Sequence, residues 1–253
     1  MFGLTCYFDA SYDERKTITV VSGWLATNAL WENFVLDWRI LLAKYDLPYF
    51  HMKEFAHSNG PFISWKGDEN KRVNFLSRAV DTIGRNVLHG FACLVRESDF
   101  NKVNKLYHLS ENMGDPYSLC ARSCVADANL WLRKKERELS VEYIFERGDV
   151  GAKELVRIMQ QHQLPVPIFR PSRDTASGEA GAIPLQAADL AAYELLKALR
   201  DVGDDAPVWK YRRSLQALGN IPNKWGQHKE EQLLDMCKSI PIEARDLTIG
   251  NQG

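Results

Sequence analysis

What most restricts this chain is the way two periodicities alternate along it. Leu4–Phe8 and Thr17–Leu25 are short apolar and β-branched runs joined by the polar stretch Asp9-Ala-Ser-Tyr-Asp13, the pattern of two strands in a hairpin. Leu30, Trp31, Phe34, Val35, Trp38, Leu41 and Leu42 then recur at helical spacing, with Asn28 as the candidate cap and Pro48 beyond the end. Tyr49–Phe55 reads as a short extended piece, Gly60-Pro61 as a break, and about 68–83 as a helix with Val73, Leu76, Val80 and Ile83 inward. Val87–Val95 is strand-like, 101–115 reads as irregular, and Pro116 opens a long helix reaching about Glu138. Val141–Phe145 and Val166–Phe169 are strand-like on either side of a helix at about 152–162, and the small polar loop 175–181 precedes a strong helix, Leu185–Leu199. Helices interleaved with strands in this order predict an α/β sheet that is partly parallel.

The 253 residues suit one core with insertions. We expect one domain over 1–200, with a helical insertion at about 28–85. A C-terminal extension, 201–253, is expected to pack on the same domain through Trp209 and Trp225, and to fray at Asn251-Gln-Gly. The net charge of -1 excludes bulk basicity. Two local basic clusters, Arg133, Lys134, Lys135 and Arg137, and Lys210, Arg212 and Arg213, read first as solvated helix faces. Five scattered cysteines with no CxxC pair argue against a disulfide framework or a zinc knuckle; Cys120 and Cys124, four apart, read as small buried side chains. With no apolar run of bilayer length, the expected setting is a reducing cytoplasm, with no membrane partner. A Gly-rich phosphate loop, a Gly-x-Ser-x-Gly elbow and a His-Glu-x-x-His helix are all missing, which removes the local signatures of three other chemistries.

Three carboxylates stand at informative places. Asp9 closes the first strand pattern, Glu146 follows a later one, and Asp189 sits in Leu185-Gln-Ala-Ala-Asp-Leu-Ala-Ala-Tyr-Glu194 among small and apolar neighbours. Burying a carboxylate there is costly unless it is paired or bound to a cation. Acids drawn together from separate elements repel one another, and a hard divalent cation with oxygen ligands, Mg²⁺ or Mn²⁺, relieves the repulsion. Such a site can activate water and stabilise the leaving oxygen of a phosphodiester. Each acid also has a plainer reading: Asp9 an Asx-type turn with Ser11, Glu146 a turn residue before Arg147-Gly148-Asp149, and Asp189 an ion-pair partner of Arg170 or Arg173. Glu54 and His51 are further candidates, against the reading of a surface loop anchored by Phe50 and Phe55. Asp13, Asp127 and Asp149 are weaker, Asp149 as a cap for the helix that follows. Lys53, Arg147 and Arg173 lie close enough in sequence to the acids to touch a substrate phosphate.

The segments Tyr7-Phe8-Asp9-Ala10-Ser11, Phe50-His51-Met52-Lys53-Glu54, Ile144-Phe145-Glu146-Arg147-Gly148-Asp149 and Pro184-Leu185-Gln186-Ala187-Ala188-Asp189-Leu190-Ala191-Ala192-Tyr193-Glu194 together resemble the family called domain of unknown function 3800. The resemblance spans most of the chain, and its last motif is the most specific. It implies a ribonuclease H-like mixed sheet flanked by helices, with acids on the first strand, a central strand and a late helix. Asp9, Glu146 and Asp189 would take those places. The family's opening motif more often reads Asp-Glu-Ser-Gly, where this chain has Asp9-Ala10-Ser11-Tyr12. The expectation is a nuclease or related phosphodiester hydrolase dependent on Mg²⁺ or Mn²⁺, acting on nucleic acid, with Glu54 as a fourth ligand or a base behind the ligands. The alternative is a non-catalytic interaction module on the same fold.

Overall fold

The computed structural model describes residues 3–135, 140–204, 207 and 210–239. Strand β1 (Leu4–Tyr12) pairs antiparallel with β2 (Ile18–Thr27) as a hairpin. The turn is closed by Asp13, which accepts from Ile18 N at 2.8 Å and from Thr17 Oγ1 at 2.7 Å. Helix α1 (Asn28–Lys44) follows directly; Thr27 rather than Asn28 caps it, its hydroxyl accepting from Leu30 N at 3.2 Å. Next come α2 (Met52–His57), a 3₁₀ turn (Gly60–Trp65) and α3 (Glu69–Asn86), the last capped by Asp68. Thus α2 replaces the extended piece expected over 49–55. In α3, Phe75, Ala79, Val80 and Ile83 are buried while Val73 is 60 % exposed, so the buried face is rotated from the expected one.

Strand β3 (His89–Arg96) leads into α4 (Glu97–Tyr107) and α5 (Leu109–Met113). The expectation of an irregular segment there is corrected: Phe100 and Val103 bury one narrow face, while Leu106 and Tyr107 stay exposed and blur the period. Helix α6 (Pro116–Lys134) begins as predicted, with Pro116 in its first turn and Asp115 accepting from Ser118 N at 2.7 Å. Its expected reach to Glu138 lies outside the described residues. Then come β4 (Val141–Glu146), α7 (Ala152–Gln161), the short β5 (Ile168–Arg170) and α8 (Leu185–Asp201). The C-terminal part supplies α9 (Arg213–Gly219), β6 (Asn223–His228) and α10 (Glu230–Ser239).

The six strands form one mixed sheet in the order β5-β4-β1-β2-β3-β6, with β1–β4, β4–β5 and β3–β6 parallel and β2 antiparallel to both neighbours. Because successive side chains alternate, each strand serves two cores. Cys6, Phe8, Val21, Phe91, Cys93, Tyr143 and Phe145 pack under α6, α7 and α10 on one face. On the other face Trp24, Ala187, Leu190 and Ala191 join the aromatic rings of α1, α2 and α3. Small residues on α8 let it lie close over β1 and β2, as the alanine-rich motif predicts. The C-terminal segment is more than a packed extension, since β6 is an edge strand of the sheet. Trp225 is half-buried against Trp24, with ring centroids 6.3 Å apart, while Trp209 and Asn251–Gly253 lie outside the described residues. All five cysteines are free and buried. No helix among the described residues is long and apolar enough to cross a membrane.

Candidate functional site

Phe8 pairs with Phe145 in the parallel β1–β4 ladder, and one step further along brings Asp9 beside Glu146. Thr5, Tyr7 and Asp9 alternate with Cys6 and Phe8, so Asp9 points away from the α6 core and toward the face that α8 covers. Asp9 lies within β1, opposite Ser22 of β2, rather than at the strand's end. Asp189 comes down from α8 onto the same face. Asp9 and Asp189 are 8 % and 5 % exposed, and with Glu146 they line one cavity of about 480 Å³. Three acids predicted from three separate elements are therefore brought together.

Each acid is held by a neutral donor. Ala10 N donates to Asp9 Oδ1 at 2.7 Å, Met52 N donates to Asp189 Oδ2 at 2.6 Å, and the Ser172 hydroxyl donates to Glu146 Oε1. None of the three forms an ion pair among the described residues, so Arg170 and Arg173 do not neutralise Asp189; they pair with Glu179 and Glu54 instead. Burial, followed by repulsion from Glu146, Asp189 and Asp149, pushes Asp9 well above the usual carboxylate range. Burial also raises Asp189 to about 6, although His51 and the Met52 amide pull it down. Asp149 shares the cavity and is raised to about 6 by burial. It accepts from Tyr12 Oη at 3.0 Å rather than capping α7, whose cap is Gly151.

The other expected residues divide. Lys53 and Arg147 line the cavity. Lys53 is exposed and forms no ion pair among the described residues, whereas Arg147 reaches Glu179 at 2.6 Å and 2.9 Å. Glu54 and Arg173 stand behind the wall. Glu54 accepts from Tyr49 Oη at 2.9 Å, lies 3.5 Å from His51 Nδ1 and 3.4 Å from Arg173, and Arg173 covers the Tyr49 ring at 4.7 Å. His51 lines the cavity, and the contact to Glu54 is too long to satisfy its buried Nδ1. Phe50 and Phe55 are buried anchors, and they fix α2 beside the acids rather than marking a surface loop.

Gln186, Ser172 and Tyr12 were missed from the sequence. Gln186 is 3 % exposed; its Oε1 accepts from Trp38 Nε1 and Phe50 N, each at 2.9 Å, and its Nε2 donates to Ser172 O at 2.9 Å. One amide thus ties α1, the lead into α2 and the 172 loop around Asp189. The reasoning applied to Asp189, that a polar group on an apolar helix face needs partners, would have found it. Ser172 has no such signal, since its position depends on the loop 171–182 folding back until Gly181 packs on the Arg173 backbone.

The donor set suits a hard cation: oxygen-rich, repulsive and uncompensated. Ser22 Oγ, buried on the same side as Asp9, has no hydrogen-bond partner, which leaves an unsatisfied oxygen beside the acids. As placed, no three His, Cys, Asp or Glu side chains among the described residues are gathered tightly enough to grip an ion. Cations surround this floor: Lys16, Lys53, Arg147 and Arg200 are exposed and Lys197 half-exposed on the same cavity. Of the two basic clusters, Arg212 reaches the buried Glu194 at 3.3 Å, and neither cluster lines the acid cavity. Arg137 lies outside the described residues. A larger groove of about 780 Å³ between α1 and α3 holds the Asp37–Arg85 pair at 3.9 Å and no comparable group of acids. Compared with known proteins, the chain matches no family model, no curated protein and no solved structure.

Proposed function

We propose that this protein is a divalent-metal-dependent nuclease or related phosphodiester hydrolase of the ribonuclease H-like kind, akin to the domain of unknown function 3800 family. The observation that supports this most is one cavity with the buried, unpaired acids Asp9 and Asp189 at its floor and exposed cations at a rim that also carries Asp13 and Glu14. Asp9 on the first strand, Glu146 on the neighbouring parallel strand and Asp189 on a late helix support the reading, since the resemblance implies two strands and a late helix as carriers of the acids. The free cysteines suit a reducing cytoplasm.

Asp9, Glu146 and Asp189 would hold Mg²⁺ or Mn²⁺, with the unpartnered Ser22 hydroxyl opposite Asp9 in the sheet. A bound divalent ion would supply an activated water and charge stabilisation at the leaving oxygen. The chain's own side chains do the rest. Lys53 and Lys16 meet substrate phosphate, and Asp149, which accepts from Tyr12 Oη, lines the same cavity. His51 opposes part of the rise that burial imposes on Asp189 and lines the cavity on the α2 side. The test is incubation with single-stranded, duplex and hybrid nucleic acids plus Mn²⁺. Cleavage lost in Asp189→Asn is the expected result. No cleavage, or equal cleavage by the variant, rejects the reading.

The engagement of each acid by its own donor favours a second reading, a non-catalytic module that keeps the fold as a scaffold. Calorimetry with Mn²⁺ separates the two: a working site binds the ion and loses it in Asp9→Asn, Glu146→Gln and Asp189→Asn, while a scaffold shows neither effect.

A further inference from the structure

Asp189, Tyr193, Leu196, Lys197 and Arg200 of α8 all line the acid cavity. At 3.6 residues per turn they form one stripe, so the groove follows the helix axis. At 1.5 Å per residue, Lys197 lies about 12 Å and Arg200 about 16 Å beyond Asp189. The facing wall is the β1–β2 turn with Asp13, Glu14 and Lys16. Outward from the acids the stripe reads carboxylate, half-buried aromatic ring, then two cations. One carboxylate holds both cations: Asp201 Oδ2 is 2.7 Å from Lys197 Nζ, and Asp201 Oδ1 is 2.7 Å from Arg200 Nε. Two positive charges against one negative leave the α8 side of the groove cationic, opposite Lys16 and the acids Asp13 and Glu14 of the facing wall.

We propose that this groove is the track of a single nucleic-acid strand, with its phosphates on Lys197 and Arg200, a base stacked on Tyr193, and Asp201 loosening the grip by sharing both cations. Cations beside an aromatic platform are what sequence-tolerant strand binding requires. A cavity of about 480 Å³ is of small-ligand size, which suits a short strand segment. The proposal deepens the hydrolase reading and rests on it for the strand's destination, yet strand binding itself needs no cleavage.

The experiment is fluorescence anisotropy with labelled single-stranded DNA and RNA oligonucleotides and a matching duplex, in EDTA so that no cleavage intervenes. Single strands should bind more tightly than duplex. Lys197→Ala with Arg200→Ala should weaken binding tenfold or more and flatten the log–log salt slope by about 1.4, the value for two phosphate contacts on a single strand. Tyr193→Ala should weaken it at least about fivefold, Tyr193→Phe should retain it, and Asp201→Asn should tighten it. Equal or stronger duplex binding, no binding, an unchanged salt slope, or weaker binding in Asp201→Asn overturns the track. Intact strand binding without cleavage removes the hydrolase reading and leaves the track. Cleavage that persists in the α8 variants with unchanged binding does the reverse.

Discussion

The backbone amide of Met52 donates to Asp189 Oδ2 at 2.6 Å, so the first residue of α2 is seated on the buried carboxylate of α8. The hydrogen bond favours the ionised acid and opposes the rise that burial imposes. Met52 opens the helix and His51 before it is extended, which makes proline sterically acceptable at position 52 while deleting the donor. We predict that Met52→Pro moves Asp189 further above about 6, whereas Met52→Ala, which also loses the buried side chain, moves it less. Carboxyl ¹³C titration of the two variants measures this, and equal midpoints reject it.

The raised Asp189 also ties stability to pH. Between the unfolded value of about 3.9 and the folded value of about 6 the native chain holds the extra proton. This carboxyl's contribution to stability is therefore fully present below the unfolded value and is lost as pH rises through about 6. Relative to Asp189→Asn, the parent should lose about 2 kcal/mol between pH 4 and pH 7 without metal. Saturating Mn²⁺ at pH 7.5 should restore much of it in the parent and none in the variant. Denaturant melts across that range give the difference, and a flat one counts against an unpaired acid.

Gln186→Leu strands Trp38 Nε1, Phe50 N and Ser172 O in the interior, at about 1–3 kcal/mol each. We expect a loss of several kcal/mol. Gln186→Glu should fall between, because it still accepts from both N–H groups but sets a carboxylate against Ser172 O. Thermal and urea unfolding of the three proteins decides the order.

Glu54 touches Tyr49, His51 and Arg173, none of which is a proposed ligand. Glu54→Gln should cost less than about tenfold in Mn²⁺ affinity, below the usual range for groups that bond a ligand directly. Asp9→Asn and Asp189→Asn should abolish binding. An equal loss in all three would place Glu54 at the metal.

The α/β class, the hairpin and the meeting of Asp9, Glu146 and Asp189 were legible because strand and helix periods are local and because an acid among alanines contradicts its surroundings. Helices α4 and α5 were not, since each buries only two hydrophobic residues, Phe100 and Val103 in α4 and Leu109 and Met113 in α5. Strand β6, Asn-Lys-Trp-Gly-Gln-His, has neither β-branched residues nor alternation; only pairing with β3 makes it a strand. Glu54 was read as reaching the site from an extended segment; on α2 it does not line the cavity and instead meets His51 and Arg173, although its charge still repels Asp189. The hydrogen bonds of Gln186 and Ser172 join segments far apart in the chain, and no short window of sequence contains them.

Strand β6 sets the schedule on which a nascent chain can finish this sheet. β3 leaves the ribosome with one edge unpaired, and its partner is not made until some 128 residues later, at Asn223. At 5–20 residues per second that is roughly ten seconds during which Phe91–Val95 offers an open template to any passing strand. Stalled or prematurely released chains would share that exposed edge, which makes them the form of this protein most in need of a chaperone.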